Sequence, residues 1–229
     1  MSERYRTDYD GEFVITSNTI KDGKKVQERE WIANPIENQH ISGRAAVIGN
    51  GASRRNTKLH GEFNLKNNIE KHAGWHLGRK RLQSYGTEGC WREMQCDFYI
   101  EYDPEKLAEI REQKYSEKVT VYSNARNCIT NPGEFYLVPY GQRGRSLSVA
   151  TWMACFDGHK EVFLLGAEGQ ADNGKYDQQL VNEMDNIMKE YATVSFIYVS
   201  DNIKPNDQWR KNLNFVQWKY GQFVSHCDI

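Results

Sequence analysis

Residues 44–53 read RAAVIGNGAS, a short apolar run that stops in a Gly-Asn-Gly turn. A short apolar run of this kind is typical of a buried parallel strand. Two glycines around an asparagine let the backbone turn sharply with its amide N–H groups pointing outward. Such N–H groups bind phosphate oxygens. The stretch therefore predicts a strand and a phosphate-binding loop at Gly49, Asn50, Gly51 and Ser53. The alternative is a tight turn without a ligand.

Two common nucleotide-binding motifs are absent from this loop. It lacks the spacing of the dinucleotide fingerprint and the lysine of a P-loop. The sequence therefore disfavours a nicotinamide cofactor and Walker-type ATP binding.

Length and composition indicate one soluble domain. A chain of 229 residues can bury a substantial core, and 30 basic residues nearly balance 31 acidic ones. A net charge of -1 gives no overall attraction to nucleic acid or membrane. The five cysteines show no zinc-binding or disulfide pattern, which fits a reducing cytoplasm. We expect no membrane segment.

Alternating strand and helix patterns predict the fold class. Asp22-Gly23 between two strand-like runs predicts an N-terminal β-hairpin at 13–32, and we expect it to form, with a connector, a unit of residues 1–43. Residues 44–229 then form an α/β domain with a Rossmann-like, mainly parallel sheet. An aromatic-rich C-terminal tail follows Pro205 and either packs on the sheet edge or forms an acceptor wall. The predicted strands are 44–49, 96–102, 118–122, 135–138, 161–166 and 193–199.

Three helices are predicted between these strands. One begins at Asp103, with Pro104 in the first turn. Another covers 146–157, is apolar nearly all round and ends at Gly158. The third covers about 175–191, where the apolar side chains form one stripe that we interpret as core: Tyr176, Leu180, Met184, Ile187, Met188 and Tyr191.

Loops at the carboxyl ends of parallel strands are expected to meet at one ligand site. Arg54 extends the first loop with charge, and the segment 139–146 brings Arg143, Arg145 and Ser146 to a helix N-terminus, a second predicted anion site. Asp103 follows a strand in Glu101-Tyr102-Asp103. An acid there caps the helix, and it can also accept hydrogen bonds from ribose or sugar hydroxyls, act as a base, or bind a divalent cation as part of the Glu-x-Asp pair. Arginines in a solvated loop are the alternative interpretation for the charges.

Two further segments are open to more than one interpretation. Basic and aromatic residues mix between 54 and 81, which indicates either nucleic-acid contact or a solvated surface. Residues 166–174 supply Glu168 and Asp172 at the same rim, in what we expect to be a lid. Neither a nucleophilic triad nor a Gly-x-Ser-x-Gly motif is present, so a hydrolase of that type is disfavoured.

Taken together, these motifs resemble a known group of proteins. VIGNGAS at 47–53, Tyr85-Gly86, DFYIEYD at 97–103 and the stretch 146–166 are similar to bacteriophage-encoded sialyltransferase-like proteins. That group resembles bacterial sialyltransferases of glycosyltransferase family 42 and 6-hydroxymethylpterin diphosphokinase-like domains. The resemblance covers roughly residues 44–200. It implies that the first loop lies against the phosphate and sugar of a donor nucleotide.

The chain departs from this family at two places. Ala52 stands where the family loop has proline, and GTEGC at 86–90 stands where the family has an asparagine that contacts the donor. The catalytic histidine of the family is not matched to any histidine here.

The leading functional hypothesis is glycosyl transfer from a nucleotide sugar to an acceptor hydroxyl. Asp103, Glu168 or Asp172 would act as the base, and no metal or cofactor is expected because a full ligand set is missing. The acceptor is a glycan, modified DNA or a small molecule, and the exposed hairpin would suit a homodimer. The location is the cytoplasm, of the host if a phage encodes the chain. Two alternatives remain open: a diphosphokinase that uses ATP and magnesium, and a non-enzymatic nucleotide-binding or sequestering protein.

Overall fold

A computed structural model describes residues 12–33, 43–54, 75–76, 79–80, 82–169 and 175–227. The strands are β1 (Glu12–Lys21), β2 (Lys24–Ala33), β3 (Arg44–Ile48), β4 (Trp75–His76), β5 (Arg79–Lys80), β6 (Gln83–Gly86), β7 (Phe98–Ile100), β8 (Thr120–Ser123), β9 (Tyr136–Leu137), β10 (Glu161–Leu165), β11 (Ser195–Val199) and β12 (Phe215–Trp218). The helices are α1 (Pro104–Glu112), α2 (Ala125–Thr130), α3 (Ser146–Phe156), α4 (Gln178–Glu190) and α5 (Tyr220–Cys227).

Ten of these strands form one sheet in the order β12-β11-β10-β3-β6-β7-β8-β9-β1-β2. The eight strands from β12 to β9 run parallel, and the hairpin β1–β2 adds two antiparallel strands at the edge. β4 and β5 pair separately. The predicted fold class, a Rossmann-like and mainly parallel α/β sheet with an N-terminal hairpin, is therefore confirmed.

The central strands β11, β10, β3, β6, β7 and β8 are buried on both faces of the sheet, as the continuous apolar strands predict. Side chains alternate along β3, so that Ala45 and Val47 pack on one face while Ala46 and Ile48 pack on the other. α3 and α4 cover the first face, and α1 and α5 cover the second. The domain therefore has three layers, helix on sheet on helix.

The helices begin and end near the predicted positions. Asp103 caps α1 through the N–H of Glu105, with Pro104 at the first helical position. Gly158 follows α3 with a φ of 91°. On α4 the predicted stripe is core at Leu180, Met184, Ile187 and Met188, whereas Tyr176 precedes the helix and is exposed.

Two strands of the sheet were missed. β6 reads QSYG, and its polar residues hide it from any apolar pattern, although all four residues are buried. Ser84 fits there because its N–H and its hydroxyl both donate to Asp97, at 2.8 Å each. β12 lies in the aromatic tail and pairs with β11, so the expectation that the tail packs on the sheet edge is confirmed.

Some predictions fall outside the described residues: most of the basic segment 54–81, the connector at 34–42, and Asp172 with the adjoining part of the expected lid. Among the helices that the structure describes, none has the length and apolar character needed to cross a bilayer.

The order of the sheet fixes where a ligand site belongs. From β3 the chain runs outward through β6, β7, β8 and β9, and then returns to the other side of β3 as β10. The connection after β3 therefore leads to β6 on one side, and the connection after β10 leads to β11 on the opposite side. In open α/β sheets, the crevice beyond the carboxyl ends of two such strands is where ligands bind.

Candidate functional site

A cleft of about 630 Å³ lies beyond the carboxyl ends of β3 and β10. Its lining comes from the loops after β3, β6 and β11, the start of α1, the start of α3, and the segment from the end of β10 into the first turn of α4. The residues are Asn50, Gly51, Ala52, Glu88, Arg92, Lys106, Arg145, Leu147, Gly166, Glu168, Gly169, Asp177, Leu180 and Ile203. Of the loops that the sequence predicted would meet, the loop after β3, the segment 139–146 through Arg145 and the segment after β10 line the cleft, whereas the loop 101–103 does not.

The loop after β3 is packed tightly against the loop after β10. The N–H of Gly49 donates to the carbonyl of Leu165, and the N–H of Gly51 donates to the carbonyl of Gly166, at 2.9 Å each. The N–H of Gly166 in turn donates to the Ser53 hydroxyl at 3.0 Å. The expectation that the N–H groups of Gly49 and Gly51 point outward is therefore wrong, because main-chain carbonyls of the neighbouring loop accept them.

Two carboxylates accept two further N–H groups of this loop. The Glu168 carboxylate accepts a hydrogen bond from the N–H of Ser53 and lies where a Cβ on Gly51 would be. The Glu88 carboxylate accepts from the N–H of Asn50. In this structure the groups that accept these two N–H groups are carboxylates of the protein itself, and phosphate binding by the loop stays a prediction.

Glu88 has an unusual backbone conformation. Its φ of 53° lies in the left-handed region, and Gly89 follows with a φ of 86°. A glutamate in that region is uncommon. Burial raises the pKa of the Glu88 carboxyl, and the nearby carboxylates of Glu168 and Asp177 add to that rise, while the Asn50 N–H and Lys106 oppose it.

Three basic side chains line the cleft, each beside an acidic partner. Arg145 Nε lies 2.8 Å from Asp177 Oδ2, and Asp177 also caps α4. Lys106 Nζ lies 3.9 Å from Glu101 Oε2. Arg92 pairs with Glu109 on the exposed side of α1. The cleft therefore combines cations with carboxylates and has no excess of positive charge.

Glu101 lies just behind the lining. It is buried, and its Oε1 accepts hydrogen bonds from the N–H groups of Tyr102 and Asp103, at 2.9 and 3.1 Å. Burial raises its pKa, whereas those two hydrogen bonds and Lys106 lower it. Ser146 places its hydroxyl 3.5 Å from the same oxygen. Glu101 thus joins the start of α1 to the start of α3.

The second predicted anion site, at the N-terminus of α3, also holds a carboxylate of the protein. The N–H of Arg145 donates to Glu183 Oε2 at 2.9 Å, and the Ser148 hydroxyl donates to the same atom at 2.5 Å. A Cβ on Gly144 would lie 2.9 Å from it. α4 therefore supplies the negative charge that this helix N-terminus attracts.

Other predicted site residues do not line the cleft. Asp103 caps α1, and Arg143 is an exposed loop residue. Arg54 is buried; its guanidinium donates to the Asn50 side chain at 2.8 Å and pairs with Glu93 at 3.1 Å. Arg54 thus holds the loop after β3 in place through Asn50 and does not line the cleft.

Sequence reasoning missed Glu88, Arg92, Lys106 and Asp177 as lining residues. Glu88 lies in the stretch 86–90, which the resemblance left unmatched, and no pattern in that stretch marked it as a lining residue. Lys106 and Asp177 each lie in the first turn or cap of a helix, where ordinary structural roles explain their presence in a sequence.

In chemical terms, the cleft can bind a ligand that has both hydroxyl groups and an anionic group. Carboxylates accept hydrogen bonds from hydroxyls, and guanidinium and ammonium groups bind phosphate. Within the described residues, no cluster of three or more histidine, cysteine, aspartate or glutamate side chains suits a metal ion.

Comparisons with known proteins give only distant likenesses. No protein-family model matches the sequence, and no curated protein matches it. The sialyltransferase CstII from Campylobacter jejuni in complex with the substrate analogue CMP-3FNeuAc is 13% identical over 75% of this chain and 87% of its own, with a TM-score of 0.46. CstII in complex with cytidine-5'-monophosphate is 11% identical over 69% of this chain and 80% of its own, with a TM-score of 0.43. The sialyltransferase CST-II in complex with trisaccharide acceptor and CMP is 9% identical over 68% of this chain and 80% of its own, with a TM-score of 0.41. At these values the likeness says nothing of what this chain binds.

Proposed function

We propose that this protein is a glycosyltransferase that moves a sugar from a nucleotide-sugar donor to an acceptor hydroxyl. The observation that carries the proposal is the cleft at the carboxyl ends of β3 and β10, lined by three cations and three carboxylates. The position is the one at which open α/β sheets bind nucleotides. The mixture of charges fits a ligand that is partly anionic and partly polyhydroxylated.

A nucleotide sugar fits this mixture better than a nucleoside triphosphate does. The three cations, Arg92, Lys106 and Arg145, each have an acidic partner already. A triphosphate would therefore add a high negative charge to a site whose charges are balanced. The one or two phosphates of a nucleotide sugar add less, and the sugar hydroxyls can donate to the cleft carboxylates.

The proposed roles follow from position. Lys106 and Arg145 stabilise the departing phosphate, whose growing negative charge is the main electrostatic requirement of the transition state. Asn50 and Gly51 form the floor beneath the donor, with Gly49 and Ser53 holding that loop in place. Glu168 accepts a hydrogen bond from a sugar hydroxyl. A carboxylate of the cleft takes the acceptor proton, and Asp103 is a poorer choice because it caps α1 outside the lining.

The acceptor is a glycan, modified DNA or a small molecule, and water can replace it in a slow hydrolysis of the donor. That hydrolysis gives a test that needs no knowledge of the acceptor. The purified protein is incubated with CMP-N-acetylneuraminate, UDP-N-acetylglucosamine, UDP-glucose and GDP-mannose, with and without EDTA. Released nucleotide is measured by chromatography.

We expect one nucleotide sugar to be cleaved, with the product sugar mass confirmed by mass spectrometry. An Arg145→Gln, Lys106→Met double variant serves as the inactive control. Absence of cleavage for every donor, together with magnesium-dependent transfer from ATP, would overturn the proposal in favour of a diphosphokinase. Tight nucleotide binding without any turnover would instead indicate a sequestering protein.

A further inference from the structure

We propose that Glu88 is the catalytic base of this transfer, the carboxylate that takes the proton from the acceptor hydroxyl. The inference rests on the proposed function and assigns its proton-transfer step to a residue at the end of β6. Three observations about Glu88 support it: a strained backbone, a carboxylate inside the cleft, and surroundings that favour proton transfer.

The backbone at Glu88 is held in a conformation that glutamate rarely adopts. Its φ is 53°, and the chain is fixed on both sides of it. The N–H of Thr87 donates to the carbonyl of Ile48 at 2.9 Å, and the N–H of Gly89 donates to the Tyr99 hydroxyl at 2.8 Å. Glycine or asparagine would fit this position with less strain. Strain of this kind persists where the surrounding structure imposes it, and it clusters at functional sites.

Glu88, held in this conformation, is one of the residues that line the cleft. Glu88 lines the cleft with Asn50 and accepts the hydrogen bond of the Asn50 N–H. That contact fixes the carboxyl group against the floor proposed for the donor. A carboxylate in that place reaches an acceptor hydroxyl that approaches through the open side of the cleft.

The charged groups around Glu88 suit its carboxylate to the role of a base. Charged groups near it come from each neighbouring element: Lys106 from α1, Glu168 from the loop after β10, Asp177 from the start of α4, and Arg92 from the turn after β6. Burial raises the pKa of Glu88 above the ordinary value of 4.5, and Glu168 and Asp177 raise it further. A base works best when its pKa lies nearer to the working pH.

The proposed step transfers the sugar and one proton. The acceptor oxygen forms a bond to the anomeric carbon as its proton passes to a Glu88 carboxylate oxygen. The bond from the anomeric carbon to the phosphate oxygen breaks, and its electron pair stays on the phosphate of the nucleotide. Glu88 then releases the proton to water.

The test compares two variants with a matched control. Glu88→Gln keeps an acceptor oxygen for the Asn50 N–H but cannot take a proton, and Glu88→Asn puts a residue that tolerates positive φ in the same place. Lys114→Asn is the control, because Lys114 has a φ of 54° but lies in an exposed turn outside the cleft lining. Nucleotide release from the four donors, melting temperature and the pH dependence of release are measured for each protein.

We expect both Glu88 variants to lose about 100-fold or more in kcat with little change in KM for the donor. Their melting temperatures should equal or exceed that of the wild type, since each removes a partly buried carboxylate that lies near those of Glu168 and Asp177, and Glu88→Asn also relieves strain. Release by the wild type should rise with pH as Glu88 loses its proton, and this rise should vanish in both variants. Lys114→Asn should leave release unchanged.

Each other outcome overturns the inference in a recognisable way. Wild-type release with undiminished release by both variants contradicts the role of Glu88 and leaves the proposed function intact. Loss of release together with a fall in melting temperature in both variants means that Glu88 acts structurally. No release by the wild type from any donor contradicts the proposed function, and the inference with it.

Discussion

Gly49 and Gly51 are the residues that allow two loops to touch at the carboxyl ends of β3 and β10. A Cβ on Gly49 would lie 2.5 Å from the carbonyl oxygen of Gly166, and one on Gly51 would overlap the Glu168 carboxylate. Both contacts are between two loops of this one protein, and neither involves a ligand. The glycines of this motif are thus required by the packing of the protein, whether or not a ligand is bound.

Gly49→Ala tests this packing. The added methyl group meets backbone atoms that cannot rotate away, so we expect the free energy of unfolding to fall by about 2 kcal/mol. Gly43→Ala is the control, because within the described part of the chain no heavy atom beyond its neighbours in sequence lies within 4 Å of the added Cβ. Urea denaturation of the two variants gives the comparison. Equal stabilities would contradict the close packing of the two loops.

Substitution of Arg145 tests whether the cations of the cleft bind the phosphate of a nucleotide. We expect Arg145→Gln to weaken binding of CMP, UDP or GDP about tenfold, or about 1.4 kcal/mol, because a charged donor to the phosphate is lost. Arg143→Gln provides a matched loss of charge outside the lining and should bind as the wild type does. Isothermal titration calorimetry measures both. A similar loss in the two variants would show that only general charge is involved.

At the residue scale, sequence patterns located the loops but not the groups that occupy them. The loop 49–53 predicts a phosphate site, and in the structure the carboxylates of Glu88 and Glu168 accept the N–H groups of Asn50 and Ser53 there. Glu168 lies 115 positions from Ser53 along the chain, and no local pattern reports such a contact. Nothing in a sequence marks a glutamate whose φ is positive, so Glu88 could not be predicted as a cleft residue.

At the scale of elements, long apolar strands were predictable and short polar ones were not. β10 and β11 are apolar runs that the sequence locates to within two residues. β6 is buried through polar contacts such as Ser84 with Asp97, and those depend on the tertiary fold. Recognition of β6 requires that neighbouring strands already be in place.

An ion pair that joins three elements gives a pH-dependent prediction. Glu161 on β10 accepts from Arg44 Nε on β3 at 2.7 Å and contacts His226 Nε2 on α5 at 2.9 Å. Burial alone would raise the pKa of Glu161, but the hydrogen bonds from Arg44 and His226 outweigh it and lower that pKa below 4.5. The Glu161 carboxyl group is therefore a stronger acid in the folded protein than in the unfolded chain.

A lowered folded-state pKa means that this stabilisation is present above pH 4.5 and is lost as the pH falls through the folded-state value. We expect Glu161→Gln to lower the melting temperature at neutral pH and to flatten its decline between about pH 5 and pH 3. Glu117→Gln, in the exposed pair with Lys114, is the control. A decline with unchanged slope in Glu161→Gln would contradict the prediction.

At the scale of the whole molecule, the candidate cleft lies at the middle of the sheet, beyond β3 and β10, whereas the hairpin β1–β2 lies at one edge. β1 pairs with β9 only at Glu12 and Phe13. Among the strands that the structure describes, none pairs with the rest of that edge of β1 or with the outer edge of β2. Ile20 near the tip is 73% exposed. Two-stranded ribbons are marginally stable alone, and open edges attract further strands.

A homodimer through β2 therefore stays our prediction. The two-residue turn at Asp22-Gly23 makes Lys21 and Lys24 a hydrogen-bonded pair, so the N–H of Gln27 points to the outer edge. We expect light scattering to give twice the chain mass of 26.7 kDa for the wild type and the single mass for Gln27→Pro. Gln27→Ala keeps the N–H and should remain dimeric. A monomeric wild type at high concentration would contradict the prediction.

The most direct test of the central claim is a crystal structure of this protein soaked with CMP-, UDP- and GDP-sugars. The account predicts density for a nucleotide sugar in the cleft beyond β3 and β10, with its phosphate beside Arg145 and Lys106 and its sugar beside Glu88 and Glu168. Density elsewhere on the molecule, or a cleft in which those side chains meet with no ligand between them, would contradict it.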